Sequence, residues 1–567
     1  MSSMNAQKMI NADTFSPSND YWAETHTVEN QPEALENYNI FASDQALIEA
    51  VSVHGADWAT QDLNEFGALC GSKDVIEWGH LANENKPTLF THNRHGKRID
   101  EVRYHPAYHQ LMSLSMEEGL HSSHWKSKPG AHVARAAKSL IISQIEAGHG
   151  CPITMTSAAI PTLKRQENLF EEWAPKILHN SYDHRNIPHT EKQSVTIGMA
   201  MTEKQGGSDV RLNSTRALPI GKGGSGQAYE LIGHKYFVSA PMSDAFLVLA
   251  QTTSGVSCFL VPRWRPDGSK NPLQIQRLKN KMGNVSNASS ETELRGALGW
   301  MVGEEGRGVS AILEMVAMTR FDCITGSAAL MRQAVAQITH HCESRAAFGK
   351  VLNQQPLMQN VLADLILESE ASTALSMRLA RSLDMSETSE HEKHLVRIGT
   401  AIGKYWVCKR TPGHTYEAME CIGGSGVMED SIMPRLFRES PINTIWEGSG
   451  NVQCLDMLRA LQKTPASLDA FMNEVHLSEN KHPLINDTLN SLQKDFSDKE
   501  NIEFRSRSIV EKMALLFQAS TLLQYGNSLV ADAFCSARLK NENKGWVYGT
   551  LPVNIDCNAL IQRATPN

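Results

Sequence analysis

Three blocks of different residue periodicity follow one another along this chain, and their order excludes most architectures open to 567 residues. From Ser43 to about Asp183 the pattern is helical. In HVARAAKSLIISQIEAG, Val133, Ala136, Ala137, Leu140, Ile141 and Ile145 recur at three- and four-residue spacing. Near Ser194 the texture changes. YELIGHKYFVSA, AFLVLAQTT and VSCFLVPR are short runs rich in Val, Phe, Leu and Tyr, punctuated by Gly, Ser and Pro, and they predict a small β domain over roughly 194–298. Helical character returns at Gly308 with VSAILEMVAMTRF. It continues through MRQAVAQITHHCES and LMQNVLADLILESEASTALSMRLARSL to about Leu461, which predicts a bundle of long helices. From Thr464 a last helical region follows, broken by KHP and by an acidic patch around Asp495–Glu503. Helix, strand and helix in contiguous blocks is not the alternation of a doubly wound α/β protein. The expectation is an α+β multidomain chain: a polar arm over 1–42, an α-helical domain over 43–193, a β domain over 194–300, a helical bundle over 301–462 and a helical extension over 463–567.

Composition narrows the function classes. The net charge of −8 gives no general electrostatic reason to bind nucleic acid. Ten cysteines occur without a C-x-x-C pair, which suits neither a disulfide framework nor a zinc site and fits reduced thiols. The opening MSSMNAQKMINADTFSPSND has no apolar stretch, and no run approaches the ~18 apolar residues of a membrane span. A soluble, cytoplasmic protein with no membrane partner is expected. His105 with His109, and His340 with His341, lack a carboxylate constellation in recognised spacing, so no metal site is expected.

Three glycine clusters bear on ligands. Gly221-Lys-Gly223-Gly-Ser-Gly226 matches G-x-G-x-x-G by letter, but a dinucleotide fingerprint leaves a strand and opens a helix, and this segment runs into the strand QAYELIGHKYF. It reads as a β-hairpin loop. Gly423-Gly424-Ser-Gly426 follows a helix ending in EAMECI, and Gly448-Ser449-Gly450-Asn451 follows IWE and precedes the helical VQCLDMLRAL. Glycine permits close approach of backbone to a ligand, and helix N-termini hold anions. On spacing alone both clusters read equally well as helix caps.

A resemblance separates these readings. MTEKQGGSDV (201–210), GHKYFVSA (233–240), MTRFDCITGS (318–327), ESRAAFGKVLNQQPLM (343–358), CIGGSGVMED (421–430) and IWEGSGNVQCLDMLRAL (445–461) fall in the order of the acyl-CoA dehydrogenase family. They most resemble its AidB branch of adaptive-response flavoproteins, and IEAGHGCPITMTSAA (145–159) extends the likeness toward the amino terminus. The resemblance implies an N-terminal α domain, a β domain and a C-terminal four-helix bundle, with FAD between the last two, in a tetramer built as a dimer of dimers. It implies that Met201, Thr202 and Ser208 lie against the flavin and that Phe237, Val238 and Ser239 flank its ring. Arg345 and Phe348 match a pair reaching the FAD of a neighbouring subunit. Gly423 and Gly424 match the glycines at the pyrophosphate, and Trp446 and Gly448, Ser449, Gly450 and Asn451 complete the cofactor site. The family's usual glutamine falls at Pro356, so Gln355, one place early, is its candidate substitute.

The family reaction removes the α-proton of an acyl-CoA thioester while hydride leaves the β-carbon for the flavin. A weakly acidic proton needs a carboxylate at contact distance, in surroundings that raise its pKa. Glu447 matches that base by resemblance; by itself it reads equally as a dipole partner at a helix start. Trp446 stands where the common motif has Tyr. Arg459 shares a helical face with Val452 and Leu455, a face expected to point inward, so Trp446 and Arg459 are expected to narrow the acyl pocket. Arg320 is expected near Glu447. An electron-transferring flavoprotein or similar acceptor is the implied partner. The alternative that the branch implies is a DNA-associated protective flavoprotein of the alkylation response with weak or vestigial dehydrogenation. Residues 463–567 carry nearly balanced charge, and Arg505 with Arg507, and Arg538, Lys540 and Lys544, are the candidate double-stranded-DNA patch.

Overall fold

A computed structural model describes residues 25–126, 128–540 and 547–566. Its first part is built from α1 (Gln45–Val53), α2 (Thr60–Cys70), α3 (Lys73–Glu84), β1 (Thr88–His92), β2 (Arg98–Arg103), α4 (Pro106–Glu117), α5 (Ala131–Ser143), α6 (Gly150–Leu163) and α7 (Glu167–Ile177). The antiparallel pair β1–β2 departs from the wholly helical expectation. Its turn is closed by Asn93, whose side chain accepts from the His95 and Lys97 N–H groups, and by Gly96 in the left-handed region at φ +76°. These short polar signals are hidden among longer helical repeats. The polar arm also ends sooner than 42: Tyr38, Ile40 and Phe41 are buried in the helical core. Residues 1–24 of that arm lie outside the described residues.

The middle of the chain forms β3 (Ile197–Ala200), β4 (Arg216–Pro219), β5 (Ala228–Ser239), β6 (Ala245–Thr252), β7 (Gly255–Pro262), β8 (Leu273–Leu278) and β9 (Ser289–Val302). The strands pair in the order β3-β6-β4-β5-β9-β7, and β6 also pairs with β7, so the sheet closes on itself. The apolar run of β6 is explained by burial on both faces. Phe246, Val248 and Ala250 fill the inside with Tyr229, Leu231, Val238 and Phe259, while Leu247 and Leu249 pack outward against α6 and α7. Residues 221–226 join β4 to β5 as a hairpin loop.

Beyond the sheet come α8 (Gly308–Ser344), the short strands β10 (Ala346–Ala347) and β11 (Lys350–Val351), then α9 (Pro356–Met385) and α10 (Glu390–Ile422). They are followed by α11 (Met433–Glu439), α12 (Ile442–Ile445), α13 (Gly450–Lys463), α14 (Ala466–His476), α15 (Pro483–Ser497), α16 (Ile502–Tyr525), α17 (Ser528–Arg538) and α18 (Cys557–Ala564). Helix α9 is buried almost continuously from Leu362 to Ser382, because the last helices cover what would be its solvent face. One hydrophobic core runs through α1–α5, α8–α10 and α16–α18. Arg563 of α18 ties this core end to end, donating to Glu49 of α1 at 2.5 Å and to Glu370 of α9 at 3.1 Å. No helix among the described residues is long and apolar enough to cross a membrane.

Candidate active site at Glu447

Between α12 and α13 the backbone makes a turn that few residues tolerate. Glu447 sits at φ +58°, in the left-handed region, and Gly448 follows at φ +98°. A non-glycine residue there costs on the order of 1 kcal/mol, so the surroundings must impose it. They do so by capturing three successive carbonyls. Lys404 of α10, itself buried, donates to the Trp446 oxygen at 2.8 Å and the Gly448 oxygen at 2.6 Å. Arg320 of α8 donates to the Glu447 oxygen at 2.9 Å, and Gln453 reaches back to the Glu447 and Gly448 oxygens at 3.1 and 2.9 Å. A side chain at 448 would meet Gln453 Nε2 at 2.7 Å and Val452 Cγ1 at 2.9 Å, which requires glycine.

The carboxylate itself accepts the Thr319 hydroxyl at 2.7 Å. Burial raises its pKa above the usual carboxylate value, and it outweighs the Thr319 hydrogen bond and the Arg320 and Lys404 charges that lower it. A carboxylate so placed is a stronger base than a solvated one and is held on a fixed backbone. Trp446 beside it is anchored by its indole N–H on Asn443 Oδ1 at 2.8 Å.

Arg320 stands near Glu447 and at the same time pairs with Asp456 at 3.0 Å. Arg459 does not face inward. Its side chain is 58% exposed and pairs with Asp456 at 3.4 Å, and Leu455 on the same face is exposed too. The inward face of α13 is instead Gln453, Cys454, Asp456, Met457 and Ala460. The expectation failed because both faces of this short helix carry apolar residues, and Asp456, buried among Arg320, Arg397 and Arg459, decides the rotation.

The other predicted residues fall into two groups. Met201 and Thr202 follow directly on β3, where Asn213 donates to the Met201 oxygen at 2.9 Å and the Tyr236 N–H donates to the Thr202 oxygen at 2.8 Å. Phe237 lies on the outside of β5, 44% exposed. Val238 points the other way into the barrel core, so only its backbone faces a ligand on that surface. Ser239 reaches Ser289 at 3.1 Å, and Ser208 lies on the exposed loop after β3. At the far end of α8, Arg345 and Phe348 belong to the β10–β11 hairpin. Arg345 donates to the Asn30 oxygen, and the Asn30 side chain brackets Ala346, accepting its N–H at 2.7 Å and donating to its oxygen at 2.9 Å. Gln355 donates to the Ala347 oxygen at 2.9 Å, and Phe348 is fully exposed at the hairpin tip. Gly423, at φ +75°, and Gly424 lie near this end of α8, with open space where a Cβ would stand.

Thr319 and Arg345 are separated along one helix by 26 residues (345 minus 319), about 39 Å at 1.5 Å per residue. The two groups therefore do not meet within one chain. The start of α13 joins the first group: Asn451 accepts from Arg507 of α16 at 2.8 Å, and Lys409 Nζ lies 3.4 Å from where a Gly450 Cβ would stand. Two cations at the α13 N-terminus and an exposed aromatic ring on β5 suit an anionic cofactor with a planar ring, and the open backbone at Gly423–Gly424 belongs to the other group.

Sequence reasoning missed Thr319, Lys404, Gln453 and Asp456. A lysine inside the apolar run GTAIGKYWVC was the available signal, since a buried ammonium demands acceptors. Of the candidate DNA-patch residues, Arg507 and Lys540 are exposed and the others are not all free at the surface. Arg538 is buried against Asp364 and Glu368, Arg505 pairs with Asp495, and Lys544 lies outside the described residues. Arg538 is withdrawn from the surface because α17 packs against α9. His105 caps α4 and His340 meets the Glu33 carbonyl at 2.8 Å.

Residues 30–184 match the N-terminal domain of the adaptive response protein AidB, 198–297 the acyl-CoA dehydrogenase middle domain, and 306–462 the acyl-CoA dehydrogenase C-terminal domain. AidB of Escherichia coli K12 is 42% identical over 548 residues, covering 96% of this chain and 99% of its own. The chain belongs to the acyl-CoA dehydrogenase family. Acyl-CoA dehydrogenase family member 11 of Caenorhabditis elegans is 31% identical over 84% of this chain and 78% of its own length. The crystal structure of Caenorhabditis elegans ACDH-11 in complex with C11-CoA superposes with a TM-score of 0.83 at 26% identity, covering 93% of this chain and 96% of that one. Members of the acyl-CoA dehydrogenase family are FAD enzymes acting on acyl-CoA thioesters, and this chain has that family's fold.

Proposed function

We propose that this chain is an FAD-dependent acyl-CoA dehydrogenase in which Glu447 removes the α-proton of the bound thioester. The observation that supports it is the clamped left-handed turn. Four side chains from three helices hold one carboxylate, raised in basicity, at a single position. FAD, when bound, supplies the hydride acceptor, and an electron-transferring flavoprotein or similar acceptor would take the electrons onward. Met201, Thr202, Ser208, Phe237, the Val238 backbone and Ser239 would hold the ring side. Gly448 to Asn451, with Lys409 and Arg507, would hold charge at the α13 N-terminus. The second group, Arg345, Phe348, Gln355, Gly423 and Gly424, would serve the cofactor of another copy in a dimer-of-dimers tetramer, because about 39 Å of α8 separates it from Thr319. Trp446, fixed by Asn443, would limit the acyl pocket; Arg459, turned outward in this chain, is no longer part of that reading.

Glu447→Gln tests the assignment. The holoprotein should keep its FAD and lose acyl-CoA-dependent flavin bleaching by ~10²–10⁴-fold, across a panel of straight and branched acyl-CoAs. Unchanged bleaching kinetics would remove Glu447 from the reaction.

A further inference from the structure

We infer that a cavity not lined by Glu447 binds a small uncharged molecule built on an aromatic ring system. The cavity, about 400 Å³, opens between β2, α4, the segment after α7 and the β5–β6 turn, and none of the residues that hold Glu447 lines it. Its size falls in the range of small-molecule sites, which combine apolar and aromatic walls with a few polar groups.

The walls are rings. Tyr104 and Tyr108 stack at 4.4 Å, His109 lies 4.2 Å from His184, and His109 and Tyr182 face each other at 5.8 Å, with the His109 ring 3.1 Å from the Tyr182 hydroxyl. Burial and the neighbouring His184 hold His109 down at about 4, so it is an uncharged ring at neutral pH. Faces and edges of this kind receive another aromatic ring offset or edge-on.

Charge is present but already paired. Glu101 pairs with Arg103 at 2.7 Å, Asp183 with Arg185 at 2.6 Å, and Asp244 with Lys192 at 2.7 Å. An ionic ligand would have to compete with these partners or enter uncompensated, which is unfavourable in a half-enclosed space. One fully buried polar atom of the lining is unpaired: Ser243 Oγ has no hydrogen-bond partner among the described residues. Ala240, also in the wall, is buried at φ +48°, a conformation that alanine holds only under constraint, as walls shaped for a ligand often show. The chemistry selected is thus an uncharged aromatic with one hydrogen-bonding group.

The test uses the FAD-loaded protein and three probes with the same rings: 1-naphthol, 1-naphthoate and 1-naphthylmethylammonium. Saturation-transfer NMR and calorimetric titration should show saturable 1:1 binding of naphthol and at least tenfold weaker binding of both ions. His184→Trp, on an exposed residue at the mouth, should weaken naphthol at least tenfold with flavin content, melting temperature and acyl-CoA bleaching unchanged. Ser243→Ala should weaken it about fivefold, the effect of one hydrogen bond. The inference is overturned if naphthol fails to bind at millimolar concentration, if either ion binds as tightly, or if neither variant changes the affinity. Because bleaching is read in the same samples, a failure here is distinguishable from a failure of the Glu447 assignment.

Discussion

Two turns in this molecule share an unusual backbone and differ in what holds it. Glu447 at φ +58° precedes Gly448, and Phe348 at φ +51° precedes Gly349, each a non-glycine residue in the left-handed region followed by a glycine there. At Glu447 the chain's own side chains donate to three successive carbonyls, those of Trp446, Glu447 and Gly448. At Phe348 only the base of the hairpin is braced, by Asn30 and Gln355, and the ring at the tip is fully exposed among the described residues. The first turn is complete in one chain. The second leaves its tip in solvent.

Removing Lys404 should break the first turn most severely. Lys404→Met leaves the Trp446 and Gly448 carbonyls without their donor, at a cost of about 3–4 kcal/mol by denaturant titration. A loss below about 1 kcal/mol would mean that the turn holds without the clamp. Arg320→Leu comes next. Asp456 keeps Arg397, so the expected loss is about 2–3 kcal/mol, with slower flavin bleaching because the Glu447 carbonyl is released.

Thr319→Val is milder and more specific. Glu447 must be ionised to accept a proton, so activity is full above its raised pKa and falls as pH drops through it. The Thr319 hydrogen bond favours the ionised form. Its loss should move the acidic limb of the pH–rate profile upward by about one unit, with folding stability lower by about 1.4 kcal/mol above that pKa and unchanged below it. A limb that stays put or moves down would separate Thr319 from the titration. The smallest effect within one chain belongs to the second turn. Phe348→Ala should change that chain's unfolding free energy by less than about 0.5 kcal/mol. FAD retention and oligomer mass on sedimentation should nevertheless fall, and if both match wild type the hairpin tip has no partner.

How much of this was legible in the sequence follows from the range of the forces involved. Periodicity placed the helical and β blocks because burial imprints a local repeat: the run AFLVLA announces a strand covered on both faces. The Glu447 turn was legible only through the string IWEGSG, since a left-handed glutamate has no local signature. Lys404 and Thr319 were missed because they approach Glu447 from positions 43 and 128 residues away in sequence (447 minus 404, and 447 minus 319). The rotation of α13 was misread for the same reason. A buried aspartate shared by three arginines, two of them on other helices, outweighs the apolar pattern of fourteen residues. The β1–β2 hairpin shows the opposite failure, a local signal present but outvoted by its helical surroundings.

The tie between Arg563 and Glu49 spans 514 residues of sequence, which sets a clock on biosynthesis. At about 5–20 residues per second, a ribosome needs roughly 25–100 s after making α1 before the residue that closes over it emerges. Until then the part of α1 that Arg563 will cap, and from its own synthesis onward the face of α9 that α18 will cover, stand open to water and to other nascent chains. A stop codon before residue 557 would make the interval permanent, so loss of the last helix should show first as aggregation during expression rather than as a defect in the purified enzyme.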